Sequence, residues 1–321
     1  MSTAYRGVVR MMSFGFRSLI AGLVAAAVAS AGSASLAFAH GVRDDVPRIA
    51  VVSAFAPEMS ILKEELDGAS VHSVKGVDFS VGTLQGRDVV LFLSGISVVN
   101  AAMTTQLALD HFDVERIVFS GIAGGVDPAL NIGDVVIADR WGQYLEMLFA
   151  REVEGRWDKP AFFDYPYANF GMMFPRSVTV QRAGAGAPET RFWFPVDDAL
   201  LAAARVAAAD VMLKRCTADG TCLRRAPKVV VGGSGVSGGA FIDNAGFREY
   251  TFETFGARVL DMESAAVAHV AYANDVPFIA IRSLSDLAGG GEGGNEMEIF
   301  LGLAAANATA LIKALLQVMP E

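Results

Sequence analysis

Between Val259 and Asp286 an apolar run ends on Asp261-Met262-Glu263, an alanine-rich stretch from Ser264 to Asn274 follows, and a second apolar run, Val276 to Ile281, leads into Arg282-Ser283-Leu284-Ser285-Asp286. Short apolar runs bounded by polar residues read as buried strands, and the stretch between them reads as a helix. Strand, helix, strand in that order constrains the chain to an α/β sheet, and such sheets keep their ligands beyond the carboxyl ends of the strands. Glu263 and Asp286 are therefore expected to project from one sheet edge. Two acids at one rim point to protonation and to stabilisation of a developing cation.

The rest of the chain repeats this grammar. Ile49 to Phe55 reads as a strand, and Met59 to Leu66 as an amphipathic helix with Pro57 near its start, which puts Glu58 at a strand-to-helix junction. Val77 to Leu84 and Asp88 to Ser94 read as strands joined at Gln85-Gly86-Arg87, Val98 to Phe112 as a helix, and Arg116 to Ser120 and Asp134 to Ala138 as strands. Gly121 to Gly125 reads as a turn whose glycines let backbone amides approach a ligand. Further on come a helix from Asp197 to Arg215, a strand from Lys228 to Val231, a flexible turn from Gly232 to Gly239, a helix from Ala245 to Phe255 and a terminal helix from about Glu296 to Val318.

One region breaks the pattern. Thirteen of the thirty aromatic residues, including all three tryptophans, fall between Trp141 and Phe194, interspersed with Pro160, Pro166, Pro175 and Pro188, with Pro195 just beyond. Proline at that density argues against long regular elements, so residues 141–195 read as an aromatic-rich insertion packed on the core by its rings. It is expected to form a subunit interface or a cover over the pocket.

The first residues carry Arg6, Arg10 and Arg17 with no acid, then an apolar run from Leu19 to Ala31, then Ala37-Phe38-Ala39. That is the layout of a secretory signal peptide over residues 1–39 with an A-x-A cleavage site, and the apolar run is too short for a stable membrane anchor. The mature chain is expected to begin near His40, in the periplasm or outside the cell. Losing the three arginines takes the net charge from −9 to −12, which disfavours nucleic acid or an anionic membrane as a partner. Residues 40–321 are long enough for one large α/β domain, and no linker or internal repeat divides them. Cys216 and Cys222, the only cysteines, read as a local disulfide in an oxidising compartment, with two free thiols as the alternative. The four histidines lack ligand spacing, so no metal site and no cofactor are expected.

Taken in order, Ala54 to Glu58, Ser94-Gly95-Ile96, Gly121 to Gly125 with Val126-Asp127-Pro128, Gly133 to Val136, Phe241-Ile242, Asp261 to Ala265 and Ser285-Asp286 resemble the nucleoside phosphorylase/nucleosidase superfamily, above all the methylthioadenosine/S-adenosylhomocysteine nucleosidases. Any one of these motifs is weak; Glu58 and Glu263 alone would merely suit helix N-termini, and Ser285-Asp286 a turn. The ordered set implies a single α/β domain with a central mixed sheet flanked by helices, and cleavage of a purine nucleoside at its N-glycosidic bond. By the resemblance, Asp286 protonates or hydrogen-bonds N7 so that the base leaves neutral, which requires a raised pKa or a proton shared with N7. Glu263 holds the ribose hydroxyls and offsets charge growing on the sugar. Glu58 activates water, Met262 packs beneath the ribose, Phe241 stacks on the purine and Ile242 reads the base edge through its backbone. Ser285, Ala123 and Gly124 complete the binding set. A homodimer or higher homo-oligomer is implied.

The resemblance has departures. Ile122 stands where the nucleosidases carry a hydroxyl residue, and Trp141-Gly142-Gln143-Tyr144 replaces the segment that supplies their 5′ contacts. A phosphorylase needs arginines near its glycine turns, and neither Ser53 to Glu58 nor Phe119 to Gly125 contains Arg or Lys. Arg87 and Arg116 read as a hairpin charge and a strand-entry charge. Water is thus the expected nucleophile, with a phosphorylase or a non-catalytic nucleoside-binding protein as the alternatives. Gly289 to Gly294, directly after Asp286, is expected to act as a mobile gate.

Overall fold

The computed structural model describes residues 44–54, 56–163, 166–291 and 293–320. The expected signal peptide, its cleavage site and His40 lie outside the described residues.

The first half of the fold is β1 (Asp44–Ser53), α1 (Ala56–Glu64), β2 (Asp67–Val74), β3 (Val77–Leu84), β4 (Arg87–Leu93), α2 (Val98–His111), β5 (Phe112–Gly125), β6 (Val135–Ile137) and β7 (Arg140–Gly142). The aromatic region holds seven three-residue strands, β8 (Met147–Phe149), β9 (Arg151–Val153), β10 (Arg156–Asp158), β11 (Met173–Pro175), β12 (Val178–Val180), β13 (Glu189–Arg191) and β14 (Trp193–Pro195). Then follow α3 (Asp198–Asp210), β15 (Val229–Val231), β16 (Ser234–Ser237), α4 (Ala245–Phe255), β17 (Ala257–Asp261), α5 (Ser264–Ala273), β18 (Phe278–Asp286) and α6 (Met297–Val318).

One mixed sheet organises these elements, in the order β14-β7-β16-β17-β5-β1-β4-β3-β2, with β18 joining β5 to β6 and β6 carrying β15. β4, β1, β5 and β18 run parallel. Every residue of β18 is buried, as are Ile49 to Ser53 of β1, which is why Phe278 to Ile281 and Ile49 to Val52 read as unbroken apolar runs: a strand covered on both faces has no polar side to alternate with. α6 packs on β18 and α3, and α5 on α2. Among the described residues α6 is the one helix long and apolar enough to cross a membrane, and it is largely buried inside the domain.

The structure corrects four local expectations. Gly121 to Gly125 is not a turn but the end of β5, a strand whose glycines leave room for neighbouring side chains to lie on it, Arg282 and Asp286 among them. Gly232 to Gly239 is not a flexible turn throughout: Ser234–Ser237 is a fully buried strand between β7 and β17, and the Trp141 ring occupies the space a Cβ on Gly235 would need. β2 is a further strand, largely exposed along its length, so it carries no apolar run to announce it. The helix expected to reach Arg215 ends at Asp210.

The aromatic region folds as three short ribbons, β8 with β11, β9 with β10 and β12 with β13, and it is stitched to the central sheet at both ends through β7 and β14. Its rings do pack on the domain: Tyr144, Tyr167 and Phe192 meet Phe247 and Phe255 of α4, with Phe192 stacked on Phe255 at 5.5 Å between centroids. The sulfurs of Cys216 and Cys222 lie 2.00 Å apart on an exposed loop after α3.

Candidate active site

β17 and β18 deliver their acids to one place by running in opposite directions. β17 is antiparallel to β5 and β18 parallel to it, and Gly124 is the register partner of both Leu260 and Asp286. Both acids therefore do leave strand ends at the same stretch of β5. A Cβ on Gly124 would come within 3.2 Å of the Asp286 carboxylate, so glycine there is what permits the approach.

A cavity of about 270 Å³ opens at this point. It is lined by Glu58 from α1, Glu263 from the start of α5 and Asp286 from β18, with Ala123, Gly124, Ser285, Met262, Phe241 and Ile242 all in its wall. Every residue assigned to the site from sequence thus borders one space. Phe241 is 55% exposed, which places it at the rim rather than in the core. No described residue of 141–195 is in the wall, so the expectation that the insertion covers this pocket is not met within the chain: its rings turn instead toward α4.

The acids sit in different surroundings. Glu58 is in the first turn of α1, where its two oxygens accept the Ala54 N–H and the Ile122 N–H, each at 2.9 Å. Ile122, lacking a hydroxyl, thus contributes through its backbone. Glu263 is buried, and its Oε1 accepts the Ser97 N–H at 2.8 Å. Burial pushes its pKa up to about 7, with Asp261 and Glu58 adding to the rise and Arg282 and the Ser97 N–H opposing it. Asp286 accepts from the Ala288 N–H at 2.8 Å and from the Ser285 hydroxyl at 3.0 Å. Its pKa is also raised, again chiefly by burial, against the pull of those hydrogen bonds.

The residue that sequence reasoning missed is Arg282. It is fully buried, its Nε lies 2.7 Å from Asp261 Oδ2 and 2.8 Å from the Ser264 hydroxyl, and its guanidinium sits 4.1 Å above the Phe119 ring. Its Nη1 donates to the Ile122 carbonyl at 3.3 Å, and its Nη2 is 3.7 Å from Glu263. Gly121 makes this possible, because a Cβ there would fall 1.8 Å from Nη1. Nη2 is buried without a hydrogen-bond partner among the described residues, a donor left facing a cavity that its own side chain lines. The available signal was an arginine directly after the apolar run Val276 to Ile281, since a cation carried into a buried strand demands a partner. Asp261, which also accepts from Ser237 and Ser264, is that partner.

Three acids around an apolar floor, one of them beside a buried guanidinium, suit a neutral ligand with hydroxyls that develops positive charge. They do not suit a phosphate dianion, because Arg282 is already engaged by Asp261 and lies beside Glu263. The family model of the phosphorylase superfamily matches residues 48–317. A 5′-methylthioadenosine/S-adenosylhomocysteine nucleosidase of Bacillus thuringiensis (strain Al Hakam) is 32% identical over 275 residues, 84% of this chain and 98% of the relative. Among solved structures, a nucleosidase of the same name from Colwellia psychrerythraea 34H, in complex with adenine, is 29% identical with a TM-score of 0.64, covering 85% of this chain and 95% of its own. The Neisseria meningitidis nucleosidase in complex with methylthio-immucillin-A is 26% identical with a TM-score of 0.62, covering 86% and 99%.

Proposed function

The chain belongs to the phosphorylase superfamily, and from that premise we propose that it hydrolyses the N-glycosidic bond of a purine nucleoside and releases the free base. The observation that carries this reading is the convergence of Glu58, Glu263 and Asp286 on one cavity whose single lining cation, among the described residues, is held by acids. In the reaction, Asp286 gives or shares a proton at N7 while the N9–C1′ pair of electrons leaves with the base. Its pKa is raised by burial, the direction that favours the protonated form a proton donor needs. Glu263 holds the ribose hydroxyls and opposes the charge on C1′ as the bond breaks. Water, held by Glu58 and within reach of the free Arg282 donor, attacks C1′, and Glu58 takes its proton. Phe241 and Ile242 hold the base, and Met262 supports the sugar.

Methylthioadenosine and S-adenosylhomocysteine are the substrates the relatives' names suggest, and Ile96, Met297 and Leu301 give the remaining wall an apolar character that suits an alkylthio group. Incubation with adenosine, inosine, methylthioadenosine and S-adenosylhomocysteine, with and without phosphate, followed by chromatography, tests the reading. Release of base independent of phosphate is the expected result. Release only with phosphate would make the protein a phosphorylase, and tight binding without release would make it a binding protein.

We further propose that the protein works in the periplasm or outside the cell, on the strength of the leader pattern over residues 1–39, and that it carries a Cys216–Cys222 disulfide there. It works as a homo-oligomer, for which the exposed Val99 and Met103 on α2, beside the pocket residue Ile96, supply an apolar face.

A further inference from the structure

Ser97 enters α2 with a backbone that glycine alone adopts freely, φ 81° and ψ 157°. Among the described residues the other non-glycine positions with positive φ lie between 49° and 59°, the φ range of the ordinary left-handed conformation. Serine at a helix entry normally caps the helix with its hydroxyl, and Ser97 makes no such bond. Its backbone does something else. The Ser97 N–H is aimed at Glu263 Oε1, 2.8 Å away, and the carbonyl of the same peptide, that of Ile96, accepts from the Asn100 side chain at 2.7 Å. Returning φ to a negative value would turn this peptide off the carboxylate and shift Ile96, which lines the cavity.

We propose that Ser97 is a positioning residue for the ribose-facing carboxylate: its strained turn is latched by the charge on Glu263, and the strain offsets part of that attraction, leaving the carboxylate free to exchange the peptide N–H for a ribose hydroxyl. The inference rests on the reading of Glu263 given above. The other groups facing Glu263 act without Ser97: Arg282 on β18 favours the ionised form, whereas Asp261 on β17 and Glu58 on α1 oppose it.

Strain and ionisation are then linked. Protonating Glu263 loosens the latch and relaxes the turn; ionising it restores the strain. Glycine at position 97 removes the strain and must make ionisation easier. The test is an NMR titration of the free protein with ¹³C-labelled glutamate side chains, the Glu263 signal assigned by its loss in Glu263→Gln. In Ser97→Gly the Glu263 midpoint is expected to fall by about 0.5–1 pH unit, and the acid limb of kcat/KM to move the same way. Ser97→Ala keeps the Cβ and the strain, so it should titrate as the unsubstituted protein does. An unchanged or raised midpoint in Ser97→Gly overturns the proposal, and so does a Ser97→Ala protein that behaves like Ser97→Gly, which would assign the effect to the hydroxyl. Because the titration needs no turnover, a shifted midpoint with no release of base would reject the nucleosidase reading and leave the latch standing.

Discussion

Asp286 and Arg282 show how differently two buried charges are kept in one cavity. Asp286 has no ion-pair partner among the described residues, and burial raises its pKa. The sign follows: the group contributes stability while protonated, fully so below its unfolded value of 3.8, and that contribution is lost as pH rises through the folded value. Asp286→Asn should therefore lower kcat by about 10²–10⁴-fold and yet raise the thermal midpoint at pH 8, with the gain vanishing at pH 3.5; a lower midpoint at pH 8 would contradict the assignment. Arg282 is the opposite case, a cation whose removal strands Asp261 and Glu263. Arg282→Met should cost about 3–5 kcal/mol in urea unfolding. The acids were legible in the sequence because each closes a strand or opens a helix. Arg282 was not, because its partners come from β17 and α5, and no local pattern reports which carboxylate a buried strand residue will face.

At the level of elements, β5 decides the site. Its final glycines were read as a turn because glycine usually interrupts structure, whereas here the missing side chains make room for groups from neighbours: Arg282 over Gly121, Asp286 beside Gly124, and Leu284 and Leu287 over Gly125. Gly121→Ala should leave the far-ultraviolet circular dichroism intact, since β5 pairs through its backbone, but displace Arg282 and reduce kcat/KM by at least the loss seen on weakening one charged hydrogen bond, about tenfold. Full activity in that variant would show that Arg282 is not needed where it lies. The glycines after Asp286 behave similarly at their start. Gly289 packs on the Asn244 backbone and Gly290 on the Arg248 guanidinium, so those two serve close packing as well as freedom. Hydrogen exchange across 289–294 is expected to slow on adding a purine nucleoside, and unchanged exchange would remove the gate.

For the whole molecule, export and the cysteine loop go together, because a disulfide persists only in an oxidising compartment. Protein recovered from the periplasm should have an intact mass beginning near His40 and no thiol that reacts with iodoacetamide before reduction. Reducing the six-residue loop should cost about 2 kcal/mol of stability, the loop-closure value for so short a ring. A full-length mass, or two reactive thiols, would move the protein out of an oxidising compartment. By itself the sequence determined the α/β class, most strands and helices, the family, and three acids that the fold brings to one cavity, because those depend on short-range periodicity and on motifs that recur in order. Only the tertiary structure decided that β17 meets β5 antiparallel, that Arg282 is the cation of the cavity, that Ser97 is strained against Glu263, and that the aromatic insertion turns toward α4. Each of these depends on contacts between segments distant in the chain, where the space left by one residue, often a glycine, is filled by another, and hydrophobic periodicity carries no information about which partner fills it.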